Sequence, residues 1–171
     1  MRAVAMAVQS ANSEACVDSI REPYLQALSS VERLHRRLLE AIKDEFDRRG
    51  LSEIAAVQGL LLYSIGSQEL SVGELRTRGC YYLGTNITHN LKKLVDLGLV
   101  EHQRSRVDLR SVRIKLTANG LEVYEIVNVL CQKHAQTVEQ AGGINADEFA
   151  VLNKLLHRLE RFWTDQVVYR L

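Results

Sequence analysis

Thr85, Asn86, His89, Lys92 and Lys93 recur at spacings that put them on one side of a short helical segment, and Arg104, Arg106 and Arg110 follow closely in the chain. These residue types suit recognition rather than bond-making chemistry. An Asn amide matches the N7 and N6 edge of adenine, and an imidazole near a helix start can donate to guanine N7. Thr85 can cap the helix, meet a phosphate or touch a thymine methyl group, while Lys92 and Lys93, further along, suit phosphates. Thr85 and Asn86 equally fit plain N-capping, and the two lysines a solvated helix face.

The elements that must hold these residues are legible around them. At 100° per residue Ile87, Leu91, Leu94 and Val95 turn to the opposite side, which predicts an amphipathic helix from Thr85 to Leu97 that Gly98 breaks. Two strands follow, Leu99 to Arg104 and Ser111 to Thr117, forming a two-stranded hairpin. Val112, Ile114 and Leu116 alternate with Arg113 and Lys115, so the second strand is expected to bury one face and show a basic face to solvent. Asp108 is the acid of the connecting loop, and an ion pair with Arg110 would fix that loop while Arg106 probes a minor groove. A mobile charged hairpin is the alternative. A helix that runs into a charged wing grips a DNA major groove and the neighbouring backbone together. Arg104, Arg106, Arg110 and Arg113 complete the set of candidate DNA contacts.

Charge distribution agrees with that reading where total charge does not. The chain of 171 residues carries a formal net charge of only +1. From Ser71 to Lys115, however, nine cations stand against four acids, a local +5, and the remainder is −4. Such concentration resembles a footprint for a polyanion, although solvated surfaces also cluster charge. A hydrophobic content of 46% is enough for a packed core and argues against disorder.

Cys16, Cys80 and Cys131 are far apart and odd in number, so neither a disulfide framework nor a zinc ribbon is suggested, and a reducing cytoplasm is the expected home. No metal, no cofactor and no membrane partner is expected. His35, His89, His102, His134 and His157 show no ligand spacing, and no phosphate-binding glycine loop, nucleophile elbow or H-E-x-x-H motif occurs, so an enzyme is not expected. No apolar run approaches the ~18 residues that would span a bilayer.

Around the basic segment the chain reads as helices. Residues 1–20 are expected to be a flexible tail. Pro23 suits the first turn of a long helix that ends at Gly50, with Tyr24, Leu28, Val31, His35, Leu38, Ile42 and Phe46 stepping by threes and fours. Ser52 is expected to cap a second helix closed by Gly66, and Ser71-Val-Gly-Glu74 is a capping box for a third. Thr117 should cap a fifth helix to about Gln140, and a sixth from about Asn145 carries Phe149, Leu152, Leu156, Leu159 and Trp163 on one stripe. The expected division is 51–120 for a winged helix-turn-helix domain, with 21–50 and 121–171 as a helical dimerisation region. The fold class is mainly α with a small β-wing.

Both ends therefore carry long apolar stripes, which either cover each other or meet a second copy. A homodimer joined through Tyr24, Leu28, Val31, Phe149, Leu152, Leu156, Leu159 and Trp163 would present two reading helices to half-sites about 34 Å apart.

The segment Asp108-Leu-Arg110-Ser-Val-Arg-Ile114-Lys-Leu116-Thr117-Ala-Asn-Gly120 resembles the wing signature of the MarR family of winged-helix transcription regulators, D-x-R-x-x-x-[aliphatic]-x-L-T-x-x-G. Leu91-Lys-Lys-Leu94-Val-Asp-Leu-Gly98-Leu-Val100 resembles the exit of its recognition helix, and the likeness spans about residues 24–168. The resemblance implies an obligate homodimer on a pseudo-palindromic double-stranded operator, commonly a repressor released by a small ligand or by oxidation. It implies a pocket between the dimer helices and the winged domain, for which His35 and Tyr63 are candidates, and a small aromatic or phenolic effector. Arg33-Leu-His-Arg-Arg37, Tyr81-Tyr-Leu-Gly84 and Arg161-Phe-Trp-Thr-Asp165 are similar to an LdtR-like alphaproteobacterial branch, implying control of cell-envelope or osmotic genes. One departure is the longer turn Arg78-Gly-Cys-Tyr-Tyr-Leu-Gly84 ahead of the reading helix. Two other readings remain: a thiol sensor through Cys80, and a winged-helix protein-interaction module that never meets nucleic acid.

Overall fold

The computed structural model describes residues 2–77, 87–104 and 112–169. Along them run α1 (Arg2–Arg48), α2 (Ala56–Ile65), β1 (Leu70–Ser71), α3 (Val72–Thr77), α4 (Ile87–Asp96), β2 (Val100–Arg104), β3 (Val112–Leu116), α5 (Ala118–Gly142) and α6 (Ala146–Tyr169).

Two element starts and one strand count depart from expectation. Helix α1 begins at Arg2 rather than near Pro23, which lies inside it, so the expected tail is helical backbone. The stretch ahead of Pro23 is rich in Ala and also holds Met and Glu, and their helix propensity offsets the one donor that proline withholds. Helix α2 begins at Ala56 and not at a Ser52 cap. Residues 51–54 form a turn closed by Ile54 N–H to the Leu51 carbonyl at 3.1 Å, and the Ala55 N–H donates to Gln58 Oε1 at 3.0 Å. The hairpin gains a third strand, since β1 adds to it in the order β1-β3-β2. A two-residue strand has too short a hydropathy pattern to be read from sequence.

Other local signals hold. At the start of α3 the Ser71 N–H donates to Glu74 Oε2 at 2.6 Å, and the Glu74 N–H donates back to Ser71 Oγ at 3.1 Å. Asn145 and Glu148 exchange the same pair of bonds before α6, at 2.9 and 3.0 Å. Both are reciprocal caps that satisfy two otherwise orphaned donors. After α4, Gly98 at φ +68° lets its own N–H reach the Val95 carbonyl and the Leu99 N–H the Leu94 carbonyl, both at 2.9 Å. That left-handed residue turns the chain directly into β2.

The wing signature has a structural meaning at its C-terminal end. Leu116 is buried. Thr117 Oγ1 accepts the Gly120 N–H at 3.1 Å and donates to the Gly98 carbonyl at 2.7 Å, so one hydroxyl caps α5 and fastens it to the exit of α4. A Cβ built on Gly120 would overlap the Leu99 carbonyl oxygen. Only glycine permits that approach.

The core is one cluster. Ile42 and Phe46 of α1, Leu61, Leu62 and Ile65 of α2, Ile87 and Leu94 of α4, Val100 and Ile114 of the sheet, and Val123 and Val127 of α5 are all buried in it. The ends of α1 and α5 nearest the winged segment thus share its core, although the sequence division at residues 50 and 121 assigns them to the dimerisation region. Beyond that core, α6 has no extensive packing on another element among the described residues.

Candidate nucleic-acid interface

Helix α4 is held by its apolar face. Ile87 is 1% exposed and Leu94 0%, while Thr88, His89, Lys92, Lys93 and Asp96 are exposed. On its inner flank Asn90 Oδ1 accepts from Gln58 Nε2 at 3.3 Å. Gln58 is 3% exposed and its other amide atom caps α2, so a single buried amide fixes α4 against the start of α2. Burying this polar side chain is tolerable because both ends are bonded.

His89 and Lys93 therefore point away from the core as the helical period requires, and neither Lys92 nor Lys93 forms an ion pair among the described residues. Lys92 lies on the flank of α4. It lines a cavity of about 410 Å³ with Val72, Thr88, Val95, Asp96, His102 and Ile114, between α4, the sheet and the start of α3. Thr88, exposed in the first described turn of α4, is a polar neighbour of that face absent from the sequence-derived set. Thr85 and Asn86 lie outside the described residues, as do Cys80, Arg106, Asp108 and Arg110. Arg104 ends β2, opposite Val112 of β3.

The sheet behaves as alternation demands on its buried side. Ile114 is buried and pairs in register with His102 of β2 and Leu70 of β1. Its other side carries Arg113 and Lys115 as expected, and acids accompany both. Lys115 Nζ pairs with Glu101 Oε1 at 3.0 Å across the β2–β3 ladder, where the two residues stand directly opposite. Arg113 pairs with two acids, Nε to Glu69 Oε1 at 3.2 Å and Nη1 to Glu74 Oε2 at 3.3 Å. Both strand cations are thus neutralised by acids. Glu69 and Glu74 are the residues that sequence reasoning missed as partners of Arg113, since they lie about forty positions earlier; the capping box at Ser71 was the available signal.

Tyr63 and His35 fall elsewhere. Tyr63 of α2 stacks on Tyr124 of α5, with centroids 5.7 Å apart and planes inclined by 17°. Burial pushes the Tyr63 hydroxyl above its ordinary pKa, and burial likewise raises the neighbouring Cys131 thiol. His35 is half-buried on α1. Neither Tyr63 nor His35 lines the cavity beside α4, the groove between α1 and α6 or the cavity at the α5–α6 turn.

The stripes on the long helices are largely bare. On α1 Val31 is exposed and Tyr24 and Leu28 are half-exposed. On α6 Leu152 is 42% exposed and Trp163 44%, with Leu156 also exposed and Phe149 and Leu159 partly covered. Ile20, Tyr24, Leu159, Phe162 and Trp163 line an apolar groove of about 510 Å³ between the two helices. Phe162 and Trp163 meet edge to face at 5.8 Å.

Comparison with known proteins agrees with this architecture. Residues 54–120 match a family model described as a winged helix DNA-binding domain. The chain is 31% identical over 146 residues to a Rhizobium meliloti protein named exopolysaccharide II synthesis transcriptional activator ExpG, covering 85% of this chain and 74% of that one. Among solved structures it resembles a MarR mutant from E. coli complexed with operator DNA, with 26% identity, a TM-score of 0.59, and coverage of 77% of this chain and 91% of that one. FabT of Streptococcus pneumoniae, in complex with DNA, shares the fold at 22% identity and a TM-score of 0.60, over 83% and 98% of the two chains. A helix packed by Ile87 and Leu94, an adjoining three-stranded wing and a relative matched over most of its length converge on one assignment: the chain belongs to the MarR family of winged-helix, DNA-binding transcriptional regulators.

Proposed function

We propose that this chain acts as a homodimer that lays two copies of α4 into successive major grooves of a pseudo-palindromic operator, with the wings on the flanking backbone. The observation that carries the reading is α4 itself, which is anchored by a buried apolar face and turns His89 and Lys93 outward beside the wing. In this reading Thr85, Asn86 and His89 contact base edges, and Lys92, Lys93, Arg104 and Arg106 contact phosphates or the minor groove, with Asp108 and Arg110 stabilising the loop. The second copy is supported by the bare apolar residues of α1 and α6, since clustered apolar surface of this kind marks a site that a partner covers. The test is footprinting on the DNA upstream of the chain's own gene, with light scattering for subunit number. Two protected half-sites about one helical turn apart bear the proposal out. A lone subunit, or affinity that does not fall with salt, sinks it in favour of a protein-interaction module.

Residue substitutions sharpen the same test. Asn86→Ala relaxes base preference, whereas Arg106→Ala weakens all sequences more evenly.

The regulatory output is repression in this reading, because a dimer seated on promoter DNA occludes that stretch from polymerase. Activation is the second reading, favoured by the name of the Rhizobium relative. A reporter driven by the footprinted promoter separates them: deletion of the gene raises output under repression and lowers it under activation. A small aromatic or phenolic effector modulates affinity by favouring one spacing of the reading helices, and about 1.4 kcal/mol of coupling suffices for tenfold. Operator affinity that stays constant through titration with aromatic acids and phenols removes the ligand switch. A response to peroxide that a Cys80→Ser variant loses would put a thiol switch in its place.

A further inference from the structure

Arg113 sits where three elements meet. β3 carries it directly opposite Ser71 of β1 on one side and Gln103 of β2 on the other. Its guanidinium reaches Glu69, just ahead of β1, and Glu74, in the first turn of α3, at 3.2 and 3.3 Å. The Glu74 oxygen that receives Arg113 also accepts the Ser71 N–H at 2.6 Å, and the Ser71 hydroxyl accepts the Glu74 N–H. One side chain thus extends the reciprocal cap of α3 into the wing. Leu70, Leu75 and Ile114 are buried beneath that junction, but its backbone pairing is short. β1 contributes two paired residues, Leu70 with Ile114 and Ser71 with Arg113, and so short a ladder is a weak tether. Charge points the same way: among the described residues, two carboxylates surround the one guanidinium and offset its charge.

We propose that Arg113, with Glu69 and Glu74, is a positioning clamp that sets the angle between the wing and α3, and that it does not itself hold DNA. This removes Arg113 from the DNA contacts read from the sequence. It rests on the proposed operator binding. The planar fork matters, because an ammonium group engages two separated carboxylates without fixing their geometry.

The experiment measures affinity of the full chain for a duplex carrying the footprinted site, across a range of salt concentrations. Arg113→Ala should weaken binding about tenfold with the slope of log K against log salt unchanged, and with a melting temperature within a few degrees of the parent. Arg113→Lys should restore only part of the loss. Glu69→Gln with Glu74→Gln should add nothing in the Arg113→Ala background, as expected for one coupled unit. A slope that drops by about 0.9, full restoration by lysine, or unchanged affinity each overturns the clamp. If the parent chain itself shows no salt-dependent binding, the operator reading fails instead, and amide exchange then judges the clamp alone. Faster exchange at Ser71 in Arg113→Ala supports it, and unaltered exchange overturns it.

Discussion

Helices α4 and α6 carry the same kind of apolar period, yet one is sealed and the other bare. Ile87 and Leu94 of α4 are fully buried in the common core, whereas Leu152, Leu156 and Trp163 of α6 remain in contact with solvent. Helix α1 holds the same contrast within one element: Ile42 and Phe46 are buried while Val31 and Leu34 are open. Burial at roughly 25 cal/mol per Å² makes the first arrangement self-sufficient and leaves the second with unused driving force. The winged segment closes its core with the near ends of α1 and α5, whereas the far stripe of α1 and the stripe of α6 stay open, which is where the proposed second copy would pack.

Substitutions on the two sides of that contrast should behave differently. The largest effect is expected from Leu94→Ala, which opens a cavity in the sealed core and should cost about 3 kcal/mol, read as a lowered denaturant midpoint at every protein concentration. A loss below about 1 kcal/mol would mean that α4 is less firmly seated than its burial indicates. Next comes Leu156→Glu combined with Trp163→Glu on the bare stripe. The expected result is a monomer by light scattering with operator affinity down about a hundredfold, equivalent to about 2.7 kcal/mol, while the winged domain still melts cooperatively. Retention of a dimer would break the comparison outright.

Thr117→Ala tests the fastening between the exit of α4 and the start of α5. Loss of the cap and of the bond to the Gly98 carbonyl should lower stability by about 1 kcal/mol in chemical denaturation, with dimerisation untouched. The smallest effect concerns Cys131. Burial raises its thiol pKa, so at pH 8 less thiolate is present than in an exposed thiol, and alkylation by iodoacetamide should be slower than for glutathione. Equal rates would mean that the α2–α5 contact opens readily around it.

Local signals were the legible ones. Ser71 with Glu74 and Thr117 announced helix starts because a cap needs its partner three residues away, and the sequence shows both. The outward set of His89, Lys92 and Lys93 followed from helical period alone. Pro23 misled, because a proline marks either a first turn or a tolerated interior site, and local pattern does not choose between them. The outward placement of Arg113 and Lys115 on β3 follows from alternation, but their pairing with acids does not: alternation predicts which side chains leave the core, and not what they meet outside it.

Taken alone, the order of residues determined an amphipathic reading helix, its glycine exit, the alternating wing strands and the capped helices after them, since each depends on neighbours within a few positions. Three-dimensional proximity decided the rest. Glu69 and Glu74 meet Arg113, the Leu99 carbonyl lies against Gly120, and the half of the α1 stripe nearest the wing is covered while the other half is not. Hydropathy period fixes which face is apolar, but contact energies fall off over a few ångströms through space, so what covers that face depends on segments far away in the chain.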